Sequence, residues 1–452
     1  MTSLLQATSP LEKWLCYIEQ SHSKIIDMGL ERVKRVATQL DLLQPAPFVI
    51  TVGGTNGKGT TCHLLEMLLL NAGYRVGVYS SPHLLRYNER VRIQNQELPD
   101  SAHSKSFYFI DQHKSESLSY FEFSTLSALQ LFKQAKLDVV ILEVGLGGRL
   151  DATNIVDADI SVITSIDIDH VDYLGDSREQ IGYEKAGIFR SGKRAVIGEP
   201  NIPNSVIQYA QQIGCQLFCR DQDWCYQQTD QQWQWQNNIN SESAVWKNLP
   251  LPQIPLANAA TALAVCARLP FKITLENIIK TLSEVELNGR FQTIKPEQLQ
   301  QWLAKRRQKS QTLNDLKLEN LPQVIVDVGH NPHAARYLAQ KLQLLKSQPE
   351  RKITAVFAML KDKDAGHVVE PLAELIDQWY FAGLDCYRGQ SAEQLQSAVQ
   401  AYLPESKIQK AKTALNVTTA VETAITEMSA QETLLIFGSF FTVAEFLVLI
   451  SE

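Results

Sequence analysis

A glycine-rich turn set between an apolar run and a helical run constrains this chain more than any other feature. Phe48-Val49-Ile50-Thr51-Val52 leads into Gly53-Gly54-Thr55-Asn56-Gly57-Lys58-Gly59-Thr60-Thr61, and Cys62 to Leu70 continue as an apolar helix. Strand, glycine turn and helix start together make a phosphate cradle. Glycines let the backbone approach a polyphosphate, and the unpaired N–H groups of the helix start point at it. Lys58 can reach terminal phosphates, and Thr60 can hold Mg²⁺. The spacing is not that of the common phosphate loop, which has four residues between its first glycine and the Gly-Lys pair. Here two residues separate Gly54 from Gly57, and Gly59 stands between Lys58 and Thr60. The competing reading is a plain glycine turn with a solvated lysine.

Composition bounds the rest. At 452 residues the chain has room for two or three domains of ~150 residues each. With 44% hydrophobic and 20% charged residues it can bury a proper core, and a net charge of −6 argues against a nucleic-acid surface. No run of about 18 apolar residues occurs, so no membrane span is expected. The first residues lack the charged and apolar segments of a secretion signal. Seven cysteines, an odd number with no C-x-x-C pair, read as reduced thiols of a cytoplasmic protein rather than disulfides or a zinc site. A monomer working on small molecules is the expectation.

Residues 11–42 read as helix with a break. Further apolar strands follow at Val76–Tyr79, Val139–Leu142, Ile160–Ile163 and Arg194–Ile197, most of them separated by helical segments. That alternation predicts an α/β fold with a doubly wound, mostly parallel sheet. Residues 215–250 change character, with four tryptophans among glutamines and asparagines, and read as a small antiparallel element in which the tryptophans pack. A second α/β pattern begins with Val324–Asp327, Ile353–Phe357 and Leu434–Ser439. The predicted domains are therefore 1–289, carrying the phosphate loop, and 290–452, a smaller Rossmann-like unit. The basic stretch 295–322 reads as a solvated insertion with some helix.

In open parallel sheets ligands bind beyond the carboxyl ends of the strands. There the sequence puts the glycine loop, Ser81, Glu143 and His170. A hydroxyl, a carboxylate and an imidazole beside phosphate can form part of a magnesium shell, although imidazole is an unusual magnesium ligand. Lys185 is either an ordinary surface lysine or, as a CO₂ adduct, a carboxylate able to bridge cations. In the second unit Asp327 ends a strand before His330-Asn331-Pro332, where it could bind a ribose hydroxyl or an ammonium. Arg290, just past the boundary, could neutralise charge during phosphoryl transfer. Singly, each is more often a capping or packing group or a surface ion pair.

Taken together, these motifs resemble the bacterial bifunctional dihydrofolate synthase/folylpolyglutamate synthases of the Mur ligase superfamily. The matching stretches are Gly54–Thr60, Ser80-Ser81-Pro82-His83-Leu84, Tyr87–Val91, Glu143–Asn154, Asp169-His170, Glu184–Phe189 and Asp327–Pro332, in the family's order over nearly the whole chain. Gly53, Asn288 and Gly329 depart from the usual residues at small or loop positions, and 295–322 is longer than usual. The resemblance implies that Gly54, Thr55, Asn56, Gly57, Lys58, Gly59 and Thr60 bind the ATP phosphates, with Asn258, Arg290 and Asp327 contacting nucleotide. It implies two Mg²⁺ ions, one held by Thr60, Ser81 and Glu143 and the other by Glu143 and His170, with a carbamylated Lys185 helping to place the second. Lys58, Lys185, His330 and Arg290 would be the catalytic set, and His330 and Ser439 would sit near the incoming glutamate. The pterin-bearing substrate would lie against Asp27, Gly29, Leu30, Ser119, Tyr120, Phe121, Glu122, Leu150, Asp151 and Ala152.

The implied reaction is ATP-dependent amide formation between the carboxylate of dihydropteroate or a reduced folate and the amine of L-glutamate, through an acyl phosphate. The alternatives are a monofunctional folylpolyglutamate synthase, another Mur-type amide ligase, and a phosphate-loop kinase or NTPase. The last would not need the second α/β unit.

Overall fold

The computed structural model describes residues 5–23, 29–237, 245–307, 321–347 and 351–451. The chain divides into two compact units, Met1–Val285 and Glu286–Glu452.

In the first unit, eight described strands form one sheet: β1 (Phe48–Gly53), β2 (Val76–Tyr79), β3 (Val91–Ile93), β4 (Gln96–Glu97), β5 (Val139–Glu143), β6 (Ile160–Ile163), β7 (Arg194–Ile197) and β8 (Gln216–Cys219). Their order is β4-β3-β2-β5-β1-β6-β7-β8. All neighbours are parallel except β3 and β4, which close one edge as antiparallel strands. The interior strands β1, β5 and β6 are apolar and buried on both faces, as strands covered by helices on each side must be. Chain order reverses around β1: β2 and β5 lie on one side of it and β6 on the other. A crevice therefore opens at its carboxyl end, where such folds bind ligands.

Register decides what meets there. Val52 pairs with Glu143, Gly53 with Ile163, and Tyr79 with Leu142. The glycine loop, Ser80-Ser81 and Glu143 thus leave the sheet at one level. Helix α3 (Lys58–Asn71) starts at the loop and is buried on most of its surface, with Thr60, Cys62, Leu64, Leu65 and Leu68 all inside.

The segment 11–42 forms two helices, α1 (Leu11–Gln20) and α2 (Glu31–Gln39). Their apolar faces, including Trp14, Ile18, Val33 and Val36, join one core with α4 (Asp100–His113) and α5 (Tyr120–Ala135). Two short helices follow β6, α6 (Val171–Leu174) and α7 (Arg178–Ala186). The tryptophan-rich stretch is a three-stranded antiparallel sheet, β9 (Trp224–Gln228), β10 (Gln232–Asn237) and β11 (Val245–Pro250). Trp224, Trp233 and Trp235 are buried, and Trp235 stacks on Trp246 with ring centroids 4.7 Å apart.

In the second unit, β12 (Gln292–Thr293), β13 (Gln323–Asp327), β14 (Ile353–Phe357), β15 (Gln378–Ala382), β16 (Lys412–Ala414) and β17 (Thr433–Phe437) form a sheet of order β12-β13-β17-β14-β15-β16. Only β12 runs antiparallel to its neighbour. The doubly wound α/β class expected from the sequence is the one observed. The stretch 295–322 differs from its solvated reading where it is described. Helix Pro296–Arg307 buries Leu299, Trp302 and Leu303, and Arg306 pairs with Glu422 at 2.5 Å. The reason is an apolar stripe at helical spacing inside a basic segment. Residues 308–320 lie outside the described residues.

Candidate active site

The phosphate loop owes its shape to two glycines that no other residue could replace without strain. Gly54 has φ +148°, and a Cβ there would stand 1.9 Å from the Thr164 hydroxyl. Gly57 has φ +83°, and a Cβ there would meet Asn258 Oδ1 at 2.4 Å. Asn258, on helix Leu256–Cys266, therefore lies directly against the loop. Lys58 folds its Nζ over the loop, donating to the carbonyls of Gly54 (2.9 Å) and Thr55 (3.2 Å). Residues past β6 latch the loop in place. Thr164 Oγ1 donates to Asn56 O (2.6 Å), Asn56 N donates to Ser165 Oγ (3.0 Å), and Thr55 N donates to Ser165 O (2.8 Å). Sequence reasoning missed Thr164 and Ser165. Their position just past the end of a parallel strand was the available signal.

Glu143 ends β5 buried, 5% exposed. Its Oε2 accepts the Ser81 backbone N–H at 3.1 Å. A Cβ on Gly59 would lie 3.5 Å from both of its oxygens, so the carboxylate faces the start of α3. Thr60 is buried in the same turn. Behind Ser80-Ser81, Arg92 donates to Glu66 Oε2 (2.9 Å) and to Ser80 Oγ (3.2 Å), and His63 Nδ1 lies 3.5 Å from Glu66. Burial pushes the Glu66 carboxyl up, but His63 and Arg92 outweigh it and hold the group below the usual carboxylate range.

Lys185, in the last turn of α7, is buried. Burial first, and then the Lys58 charge, push its ammonium down to about 7, against the pull of Asp169. Its Nζ has no hydrogen-bond acceptor among the described residues. His170 is exposed, in the left-handed region (φ +54°), and donates its backbone N–H to Asp169 Oδ1 at 2.9 Å. Among the described residues no cluster of three or more histidines, cysteines or carboxylates could hold a metal by itself. The donors at the loop are hydroxyls and a single carboxylate. That set fits magnesium, which keeps water and phosphate oxygens as most of its shell.

The residues expected to face a pterin gather at the ends of β5 and α5. Phe121 packs so closely over Gly145 that a Cβ there would meet its ring at 2.6 Å. Asp151, buried, accepts from Gly145 N, Leu146 N, Thr153 N and Thr153 Oγ1 at 2.6–3.0 Å, so it organises the loop that carries Leu150 and Ala152. Glu122 pairs with Arg32 (2.7 and 2.8 Å) and accepts from Ser119 N, closing a capping box at the start of α5 beside Tyr120. Gly29 and Leu30 are half-buried ahead of α2. Asp27 lies outside the described residues.

In the second unit, Asp327 is buried. Its oxygens accept from Phe291 N (2.8 Å) and Gly329 N (2.7 Å), and burial raises its pKa against the opposing charge of Arg290. Arg290 stands over the Phe440 ring at 5.1 Å. His330 donates from Nδ1 to Val328 O at 3.0 Å, with its ring 6.2 Å from Phe440. Ser439 Oγ accepts from Thr442 N at 3.0 Å and caps helix Phe440–Ser451. Arg290, His330 and Ser439 thus share the positive end of one helix, a place that favours anions.

The family models agree with this architecture. Residues 52–244 match the Mur ligase middle domain, and residues 315–440 match the glutamate ligase domain of Mur ligases. A Haemophilus influenzae dihydrofolate synthase/folylpolyglutamate synthase is 58% identical over 443 residues, covering 98% of each chain. This chain belongs to the dihydrofolate synthase/folylpolyglutamate synthase family. Among solved members of that family, Escherichia coli FolC in complex with DHPP and ADP superposes with a TM-score of 0.88 at 47% identity, covering 99% of each chain. A bifunctional folylpolyglutamate synthase/dihydrofolate synthase with Mn, AMPPNP and L-glutamate bound gives 0.86 at 49% identity, covering 100% of each.

Proposed function

We propose that this chain is an ATP-dependent ligase that joins L-glutamate by an amide bond to dihydropteroate and to folates that already carry glutamate. The observation that carries the reading is the meeting of the glycine loop, Ser81 and Glu143 at the carboxyl ends of β1, β2 and β5, in a chain of this family. A carboxylate is a poor acylating agent. Phosphorylated by ATP it becomes a mixed anhydride, which the amine of glutamate attacks with loss of phosphate. Little covalent chemistry falls to the protein, whose residues position reactants and balance charge.

ATP and a divalent metal ion serve the reaction; when bound, the metal neutralises phosphate charge. Lys58 and the N–H groups of residues 54–60 would hold the phosphates, with Asn258 against the nucleotide. Thr60, Ser81 and Glu143 would hold one magnesium ion, and Glu143 and His170 a second. A buried Lys185 that has no acceptor among the described residues is suited to become a carbamate: its neutral amine adds CO₂ and releases a proton, replacing an unfavourable cation with a carboxylate. In the second unit Arg290 and Asp327 would contact nucleotide, while His330 and Ser439 would receive the incoming glutamate. Phe121, Asp151 and their neighbours would receive the pterin. A reducing compartment such as the cytoplasm suits the seven free cysteines. Among the described residues no helix is long and apolar enough to cross a membrane.

The test is ATP hydrolysis measured with dihydropteroate and glutamate together, then with each omitted. Hydrolysis that needs both, with dihydrofolate as product, is the expected result. Equal hydrolysis without the acceptor would leave a simple NTPase.

A further inference from the structure

Among the described residues, Arg90 is a buried cation without an anion. It ends the short helical turn Tyr87–Arg90 and is 9% exposed. Its guanidinium lies over two rings, Tyr87 at 5.8 Å and Tyr120 at 5.5 Å. Its Nε donates to His83 Nδ1 at 2.8 Å, so that imidazole nitrogen presents a lone pair and brings no negative charge. The adjacent carboxylate, Glu89, is committed elsewhere, accepting the backbone N–H groups of Leu84, Leu85 and Arg86 at 2.6–2.7 Å. No carboxylate stands within ion-pair distance of Arg90, and its two terminal nitrogens have no acceptor, among the described residues. Two aromatic faces offset part of the cost of burying such a charge, but they leave the N–H donors of the fork unused.

The place of Arg90 says which anion it awaits. Its carbonyl accepts the N–H of Ser80 (2.9 Å), beside Ser81 at the mouth of the phosphate loop. Tyr120, its second ring, belongs to the stretch proposed to receive the acceptor substrate. A guanidinium fork matches a carboxylate in two parallel hydrogen bonds. Dihydropteroate has one carboxylate, the one that reacts, and it must reach the phosphates. A folate ending in glutamate carries a second, the α-carboxylate of the unit being extended. We infer that Arg90 binds this α-carboxylate and so sets the enzyme's preference between folates and dihydropteroate. The inference rests on the ligase reading given above.

The experiment compares three acceptors: dihydropteroate, a reduced pteroylmonoglutamate, and the matching pteroyl-4-aminobutyrate, which keeps the reacting carboxylate and lacks the other. Wild-type enzyme is expected to extend the aminobutyrate compound about 100-fold less efficiently than the folate, the scale of a lost charge-assisted pair. In Arg90→Gln, the ratio of kcat/KM for folate to that for dihydropteroate should fall about 100-fold, chiefly through the folate KM, and the ratio of folate to aminobutyrate compound should approach one. Arg90→Lys should recover part of both ratios. Equal losses on all three acceptors in a folded Arg90→Gln protein would overturn the assignment, as would unchanged ratios. Should that variant fail to fold, wild-type enzyme that extends the aminobutyrate compound as well as the folate overturns it alone. Wild-type enzyme inactive on all three acceptors would instead sink the ligase reading.

Discussion

The backbone N–H of Ser81 donates to Glu143 Oε2 at 3.1 Å, tying the end of β2 to the end of β5 directly beside the first turn of α3. The bond orients a carboxylate that faces the phosphate loop, so its chemistry should show in the metal requirement. Glu143→Gln keeps the shape and removes the charge. Turnover should drop by at least about 100-fold, with a higher Mg²⁺ concentration needed for half-maximal rate. A Mg²⁺ titration of ATP turnover checks it; a variant with unchanged metal dependence would remove Glu143 from the proposed metal shell.

Lys58 is half-buried and, among the described residues, bonds only to loop carbonyls, so its loss should leave the core intact. Lys58→Ala should reduce both glutamate additions by about 1000-fold while the thermal unfolding midpoint moves little. Near-normal activity in the folded variant would refute its role at the phosphates.

For Lys185 the expected signature is chemical rescue. Lys185→Ala should be inactive, and short-chain carboxylates added to the assay should restore part of the rate by supplying the missing anion. Mass spectrometry or density obtained with CO₂, ATP and Mg²⁺ present that shows a bare amine would count against a carbamate.

Glu66 and Arg92 make a separate prediction about stability. Glu66 is fully buried and Arg92 is its close cationic partner. Arg92→Met strands the carboxylate and should cost about 3–5 kcal/mol in denaturant unfolding. Because the folded pKa of Glu66 lies below its unfolded value of 4.5, the pair's contribution is complete above that pH and fades as pH falls through the lower folded value. Glu66→Gln should therefore flatten the acid limb of the stability curve below about pH 4.5. An acid limb identical to wild type would contradict this.

Local signals made much of the fold legible. The glycine loop announces itself because its backbone geometry demands glycine at Gly54 and Gly57, and the apolar runs of β1, β5 and β6 are continuous because both faces are covered. What stayed hidden depends on register and packing across distant parts of the chain. Thr164 and Ser165 are unremarkable hydroxyls until β6 pairs with β1 and sets them against the loop. The four donors on the Asp151 carboxylate, and Arg32 with the Ser119 amide on Glu122, likewise show only in the folded chain. In the sequence Arg90 is one residue of the Tyr87–Val91 motif; that no carboxylate pairs with it among the described residues is visible only once Tyr87, Tyr120 and His83 surround it. Trp302 shows the reverse, a core residue concealed in a basic stretch.

The most direct test of the account is product analysis by mass with purified protein, ATP, Mg²⁺ and glutamate. The same active centre should convert dihydropteroate to dihydrofolate and add glutamate to a reduced folate, and Lys58→Ala should remove both activities together. Protein that extends the reduced folate but never converts dihydropteroate would contradict the bifunctional reading and leave only a polyglutamate synthase.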